Sequence, residues 1–190
     1  MTTTGHLRLT QIISENPQQK LLVRPAVAKA LQEFLSKVCD NNVLVINTPI
    51  ALDVYHFESC ECGALIKNSI LMQSKNEGGF VFKDFDSEEQ SLLQFERTLT
   101  ELASQPKVFL AYCKKFAFRL KRERINQQIV WKLFDHFDMI IKKLEASGTM
   151  PHIRKVKEIT ASFKEISGLS DHKQTVKGLL QGLEQEQLLN

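Results

Sequence analysis

This chain predicts an α+β fold that is predominantly helical, and three features carry the prediction. Apolar residues recur at helical spacing from Ser87 almost to the C-terminus. The region at about 43–83 switches to β-branched runs and alternation. The balance of 43% apolar and 25% charged residues over 190 positions is that of a globular chain able to bury a core. The expected organisation is an N-terminal helix with a small antiparallel sheet over 1–86, then a bundle of four or five helices over 87–190. Short connections favour antiparallel neighbours and one packed unit.

Residues 1–24 carry a short apolar stretch, Leu7-Arg8-Leu9 to Ile12-Ile13, and then a polar break around Pro17. Pro25 opens a helix, because proline suits the first helical turn. Val27, Ala30, Leu31, Phe34, Leu35 and Val38 line its apolar face, and Asp40-Asn41-Asn42 stops it. Val43-Leu44-Val45-Ile46 reads as a strand, as does the alternation of Ile50, Leu52 and Val54 with Ala51, Asp53 and Tyr55. Ala64 to Met72 and Phe80-Val81-Phe82 read as two further strands, joined by a hairpin turn through Lys75-Asn76-Glu77-Gly78-Gly79.

Helices follow from Ser87. Ser87 and Gln90 have the spacing of a capping box, with Leu92, Phe95, Leu99 and Leu102 as the buried stripe. Ser104 and Pro106 start a second helix with Phe109, Tyr112, Cys113, Phe116 and Leu120 on one face. Ile125, Ile129, Leu133, Phe137, Ile140 and Leu144 continue to a stop at Ser147-Gly148. Pro151 opens another helix bearing Ile153, Val156, Thr160, Phe163 and Ile166. Ser170 caps a last one that Gly178 and Gly182 weaken.

The net charge of +3 conceals a strong asymmetry. Residues 107–157 hold thirteen Lys/Arg against four Asp/Glu, while the segments on either side are net acidic. The densest part, Lys107 to Arg124, sets seven basic residues against one acid. On a helical wheel its apolar residues fall within about 50° of one direction, with Lys107, Lys114, Lys115, Lys121 and Arg122 broadly opposite. Phe118 falls inside the cationic face. An aromatic ring among cations suits a phosphate-rich partner through charge and stacking. Extended past Arg124, however, the wheel aligns Phe118 with Ile125, Ile129 and Leu133. A helix whose buried side shifts near residue 120, or breaks at 121–124, would then place Phe118 in a core.

The remaining motifs are sparse. No metal site is predicted, although His56, Cys60 and Cys62 are of the types zinc prefers, with Cys39 the nearest further thiol. A Cys-x-Cys pair lacks the spacing of a zinc knuckle, and reduced structural cysteines are expected instead. Asp135-His136-Phe137-Asp138 reads as an exposed acid–His–acid run. No glycine-rich phosphate loop or nucleophile turn is present. Glu184 to Leu189 has the form of an acidic dileucine signal, or of a frayed helix end.

The expected role is therefore non-catalytic: an intracellular, cytosolic or nuclear, interaction or adaptor protein without a cofactor. Its acidic protein partner would meet a basic helical surface formed by Lys114, Lys115, Arg119, Lys121, Arg122 and Arg124. A nucleic acid could bind the same surface, with Arg154, Lys155 and Lys157 extending it. An enzyme would instead have to gather dispersed groups such as His56, His136 and Cys113 beside carboxylates.

Overall fold

The computed structural model describes residues 5–15, 23–57, 62–73, 79–122 and 125–167. Four antiparallel strands, β1 (Leu7–Ser14), β2 (Val43–Asn47), β3 (Leu52–Phe57) and β4 (Phe80–Phe85), form one sheet in the order β2-β3-β1-β4. Two helices, α1 (Pro25–Val38) and α2 (Cys62–Gln73), interleave with the strands. Four more follow: α3 (Glu88–Ala103), α4 (Pro106–Arg122), α5 (Gln127–Ala146) and α6 (Ile153–Ser167). The class is α+β and mostly helical, as the sequence predicts. The helix expected after Ser170 lies outside the described residues.

Both faces of the sheet are covered, which gives three layers. Leu7, Leu9, Leu44, Ile46, Tyr55 and Phe57 face the bundle and join Phe95, Phe109, Phe116, Phe134 and Phe137 in the larger core. Ile12, Val43, Val45, Leu52 and Val54 face the other way, onto Ala28, Leu31 and Leu35 of α1 and Ile66 and Ile70 of α2. Every residue of β3 is buried. The expectation of one buried face on that strand fails because α1 and α2 cover Leu52 and Val54 while the bundle closes the other face, with Asp53 and Tyr55.

Three further departures have physical causes. Leu7–Ser14 is a central strand paired to both β3 and β4, so the sheet begins well before residue 43. Its period-2 pattern is masked because buried residues on both faces leave little polar contrast. Residues 64–72 are helical rather than a strand, and the hairpin expected after them falls away with that strand. Ile66, Ser69 and Ile70 are buried at helical spacing, a period that a short apolar run conceals.

The third concerns α1, whose buried stripe is Ala28, Leu31, Gln32 and Leu35, while Phe34 and Val38 are exposed. A glutamine turns inward because the edge strand β2 offers it backbone partners. Gln32 Nε2 donates to the Val43 carbonyl at 3.1 Å, and the Val45 amide donates to Gln32 Oε1 at 2.6 Å. α1 then ends as expected, with Asp40 and Asn41 in the left-handed region at φ 48° and 60°. The Asn41 carbonyl accepts from the Asn126 amide, and Asn42 Oδ1 accepts from Asn126 Nδ2 at 2.7 Å, joining this turn to the start of α5.

The bundle helices start and stop largely as their sequence signals require. Ser87 Oγ accepts from the Gln90 amide at the start of α3, and Asn126 Oδ1 accepts from the Gln128 amide at the start of α5. Ion pairs Lys132–Glu88 and Lys143–Glu96 clip α5 to α3. Asp138, within a run expected to be exposed, is largely buried and holds both Lys142 and Lys164. Burial alone would raise its pKa; the hydrogen bonds from the two ammonium groups outweigh that and hold it below the ordinary carboxylate range.

Replacing Gln32 by Leu keeps the volume and strips both β2 backbone groups of their partners. It is expected to lower stability by about 2–4 kcal/mol. Urea unfolding should show this as a lower midpoint at unchanged m-value.

Candidate functional site

The concentration of cations between 107 and 157 divides in the structure into an inward and an outward set. α4 buries Phe109, Tyr112, Cys113, Phe116 and Leu120, as the spacing predicts. It also turns Lys115 and Arg119, one turn apart, toward the outer edge of β2. Arg119 is 8% exposed and donates to the Val45 carbonyl. Lys115 Nζ donates to the Asn47 carbonyl at 3.2 Å, and burial together with the nearby Arg119 charge lowers its pKa. Both were expected on the solvent-facing surface. They are structural instead, because an edge strand beneath a packed helix needs donors for its outward carbonyls.

The outward set on α4 counts three described lysines. Lys107, Lys114 and Lys121 recur every seventh residue, so they share the exposed face of α4. Lys121 Nζ donates to the Ser162 carbonyl and hydroxyl at 3.1 and 3.0 Å and lies 5.9 Å from the centre of the Phe163 ring, tying the ends of α4 and α6 together. Phe118 is 55% exposed between these lysines, which overturns its expected place in a core. α4 ends at Arg122, so the helix breaks and never carries Phe118 onto the stripe of α5. The side chain of Arg122 and all of Arg124 lie outside the described residues.

On α6, Arg154 pairs with Glu158 at 3.2 Å and Lys157 with Glu145 at 2.5 Å, while Lys155 is exposed. Among the described residues no carboxylate stands at ion-pair distance from Lys107, Lys114, Lys121 or Lys155. These four therefore present uncompensated charge on two helices that pack against each other.

Among the described residues, the groups considered for zinc or catalysis are dispersed. His56 is buried on β3 facing the α1–α2 side; burial lowers its pKa, with Arg8 adding to the effect. Cys60 and the side chain of Cys62 lie outside the described residues. Within those residues no three His, Cys, Asp or Glu side chains come together to hold a metal ion. His136 packs its ring beside Phe95 and Cys113 is buried, both on the bundle side of the sheet from His56. Burial pushes the Cys113 thiol up to about 12, so it is protonated and a poor nucleophile. Cys39 is disulfide-bonded, which departs from the expected set of reduced cysteines and removes that argument for an intracellular setting.

The sequence reading missed a buried polar cluster between the sheet and the bundle. Asp53 of β3 is fully buried; its Oδ1 accepts from Gln11 Nε2 at 2.8 Å, and Gln11 Oε1 accepts from Gln94 Nε2 at 3.2 Å. Asp53 Oδ2 and the hydroxyls of Tyr55 and Tyr112 are buried without hydrogen-bond partners. Burial lifts the Asp53 pKa from 3.8 to about 7, against the opposing bond from Gln11. Burial also raises both phenols, and the Asp53 charge adds to it. An acid at every other position of a strand normally marks its wet face, so only the dry second face could have revealed the cluster.

Two outcomes follow. Arg119→Met should cost about 2–3 kcal/mol by leaving the Val45 carbonyl unpaired, yet leave elution from a polyanion column unchanged. For Asp53, the folded acid keeps its proton up to about pH 7 whereas the unfolded one loses it near 3.8. Its stabilising contribution is therefore full below pH 4 and lost as pH rises to 7, by roughly 4 kcal/mol. Asp53→Asn should flatten that slope in urea titrations between pH 4.5 and 7.5.

No helix of the described residues is long and apolar enough to cross a membrane. Comparison with protein-family models, with curated proteins and with solved structures finds no match to this chain.

Proposed function

We propose that this protein is a non-catalytic interaction or adaptor protein that docks an acidic macromolecular partner on the joined faces of α4 and α6. One observation carries the reading: Lys107, Lys114, Lys121 and Lys155 are exposed and without a carboxylate in reach among the described residues. Elsewhere the chain pairs its cations readily, as at Lys67, Lys132, Lys142, Lys143 and Lys164. Charge left open beside such pairing raises the local potential and steers an anionic surface toward it. Arg154 and Lys157 stand at the rim in exposed pairs that a partner's carboxylates could exchange at little cost. Arg119 belongs to the scaffold, and half-buried Lys115 is tied to it through the Asn47 carbonyl. The intracellular setting is part of the proposal and is supported by the free, buried Cys113; the disulfide at Cys39 weighs against it.

A nucleic acid is the second reading, and the exposed position of Phe118 among the lysines favours it, since aromatic side chains beside phosphate-neutralising charge suit such partners. The two separate by salt response, since release of condensed counterions makes nucleic-acid affinity fall steeply and linearly in log–log form.

The test is charge reversal at Lys107, Lys114 and Lys155 together, with elution measured on poly-glutamate and on single-stranded oligonucleotide columns. The substituted protein should elute from poly-glutamate at clearly lower salt, with unchanged thermal unfolding. Elution identical to the parent chain would sink the reading. Retention on the oligonucleotide alone, lost on substitution of Phe118 by Ser, would favour the nucleic-acid version.

A further inference from the structure

The two edges of the sheet are treated differently. Hydrogen-bonding direction alternates along an antiparallel strand. On β2 the groups bound by side chains belong to Val43, Val45 and Asn47, so these three point away from the sheet and Leu44 and Ile46 point into it. Through the register, Tyr55 and Asp53 turn toward β2, and Thr10 and Ile12 of β1 turn toward β3. Leu9, Gln11 and Ile13 then bond Phe85, Lys83 and Val81 of β4. The bond from the Glu15 amide to the Gly79 carbonyl, at 3.0 Å, continues the same alternation. Phe80, Phe82 and Asp84 are therefore the residues whose backbone groups face outward.

No hydrogen bond among the described residues reaches those outward groups from beyond the edge. The contrast with β2 is plain: one edge is closed by three side chains from α1 and α4, while no described residue bonds the outer edge of the other, Phe80-Val81-Phe82-Lys83-Asp84-Phe85. Phe80 and Phe82 are half-buried against the α1–α2 core. Such a row of unpaired amides and carbonyls is a template for another extended chain.

We propose that the outer edge of β4 pairs antiparallel with β4 of a second copy, extending the sheet across a two-fold axis. The strand's own charges select the register of such self-pairing. Centred on Phe82, the outward residues meet as Phe82 with Phe82 and Phe80 with Asp84, and Val81 stands opposite Lys83 of the second copy. Shifting the centre to residue 83 sets Lys83 against Lys83, and to 84 sets Asp84 against Asp84, and like charges directly opposite are unfavourable. The Phe82-centred register avoids both clashes and uses the whole strand. A two-fold axis normal to the sheet also keeps the α1–α2 layer of both copies on one side, as an isologous interface requires.

The test is sedimentation equilibrium of the full chain over a wide concentration range, with two opposite substitutions at Val81, whose side chain is half-exposed and joins neither core. The parent chain is expected to show a concentration-dependent dimer. Val81→Lys faces Lys83 of the second copy twice per dimer and should weaken it roughly threefold to thirtyfold, and Val81→Glu should strengthen it by a similar factor. Phe82→Pro removes an amide that no described residue of the same copy uses and should give a folded monomer. A monomer at every concentration overturns the proposal, as does a dimer whose affinity is the same in both Val81 variants.

Discussion

The closing of the β2 edge by side chains is the constraint on which the rest of this structure depends. Strand β2 is buried, so its outer carbonyls need partners, because an unpaired buried backbone group costs about as much as the contacts around it supply. Gln32 meets that need from α1, and Lys115 and Arg119 meet it from α4. These bonds fix the rotation of both helices. Turning Gln32 inward rolls Phe34 and Val38 outward. Turning Lys115 and Arg119 inward leaves Lys107, Lys114 and Lys121 as the outward stripe. The cationic surface is thus a by-product of how the sheet satisfies its backbone.

The same constraint decides how much could be read from the sequence. Helix boundaries were legible wherever a local signal set them: Pro25 for α1, Ser87 for α3, Asn41 for the stop of α1, Gly148 after α5. Strand assignments were legible at β2 and β4, where β-branched or aromatic runs stand alone. They failed at β1 and at residues 64–72, since apolar burial on two sides erases the polar contrast that distinguishes a period of two from one of 3.6. For the candidate site, the grouping of cations on α4 was legible, and which of them turn inward was not. A helical wheel sorts charges from apolar residues, but it cannot say that two of the charges have a carbonyl waiting for them 68 and 74 positions earlier in the chain.

The bundle-facing side of the sheet concentrates a different tension. Tyr55 meets Phe95 edge to face, Phe95 leans on Phe116, and Phe116 packs on Phe137, an aromatic chain running from the sheet into α5. Asp53, Tyr55 and Tyr112 place three unsatisfied oxygens beside this apolar column. Dense aromatic packing supplies stabilisation that such a group draws down, which is why a carboxyl can persist there. Its sensitivity to proton concentration is a property of the fold's centre, remote from the lysines at its surface.

The long sequence separations of the β2 edge bonds have a consequence for how the chain is made. As synthesis proceeds, β2 and β3 can pair as a hairpin through the Thr48–Ala51 turn, with Gln32 already available from α1. The carbonyls of Val45 and Asn47 stay bare until residues 115 and 119 have left the ribosome, several seconds later at ordinary elongation rates of about 5–20 residues per second. During that interval the nascent chain exposes both margins of its growing sheet, a window in which a chaperone would find purchase and a neighbouring nascent copy could misassemble.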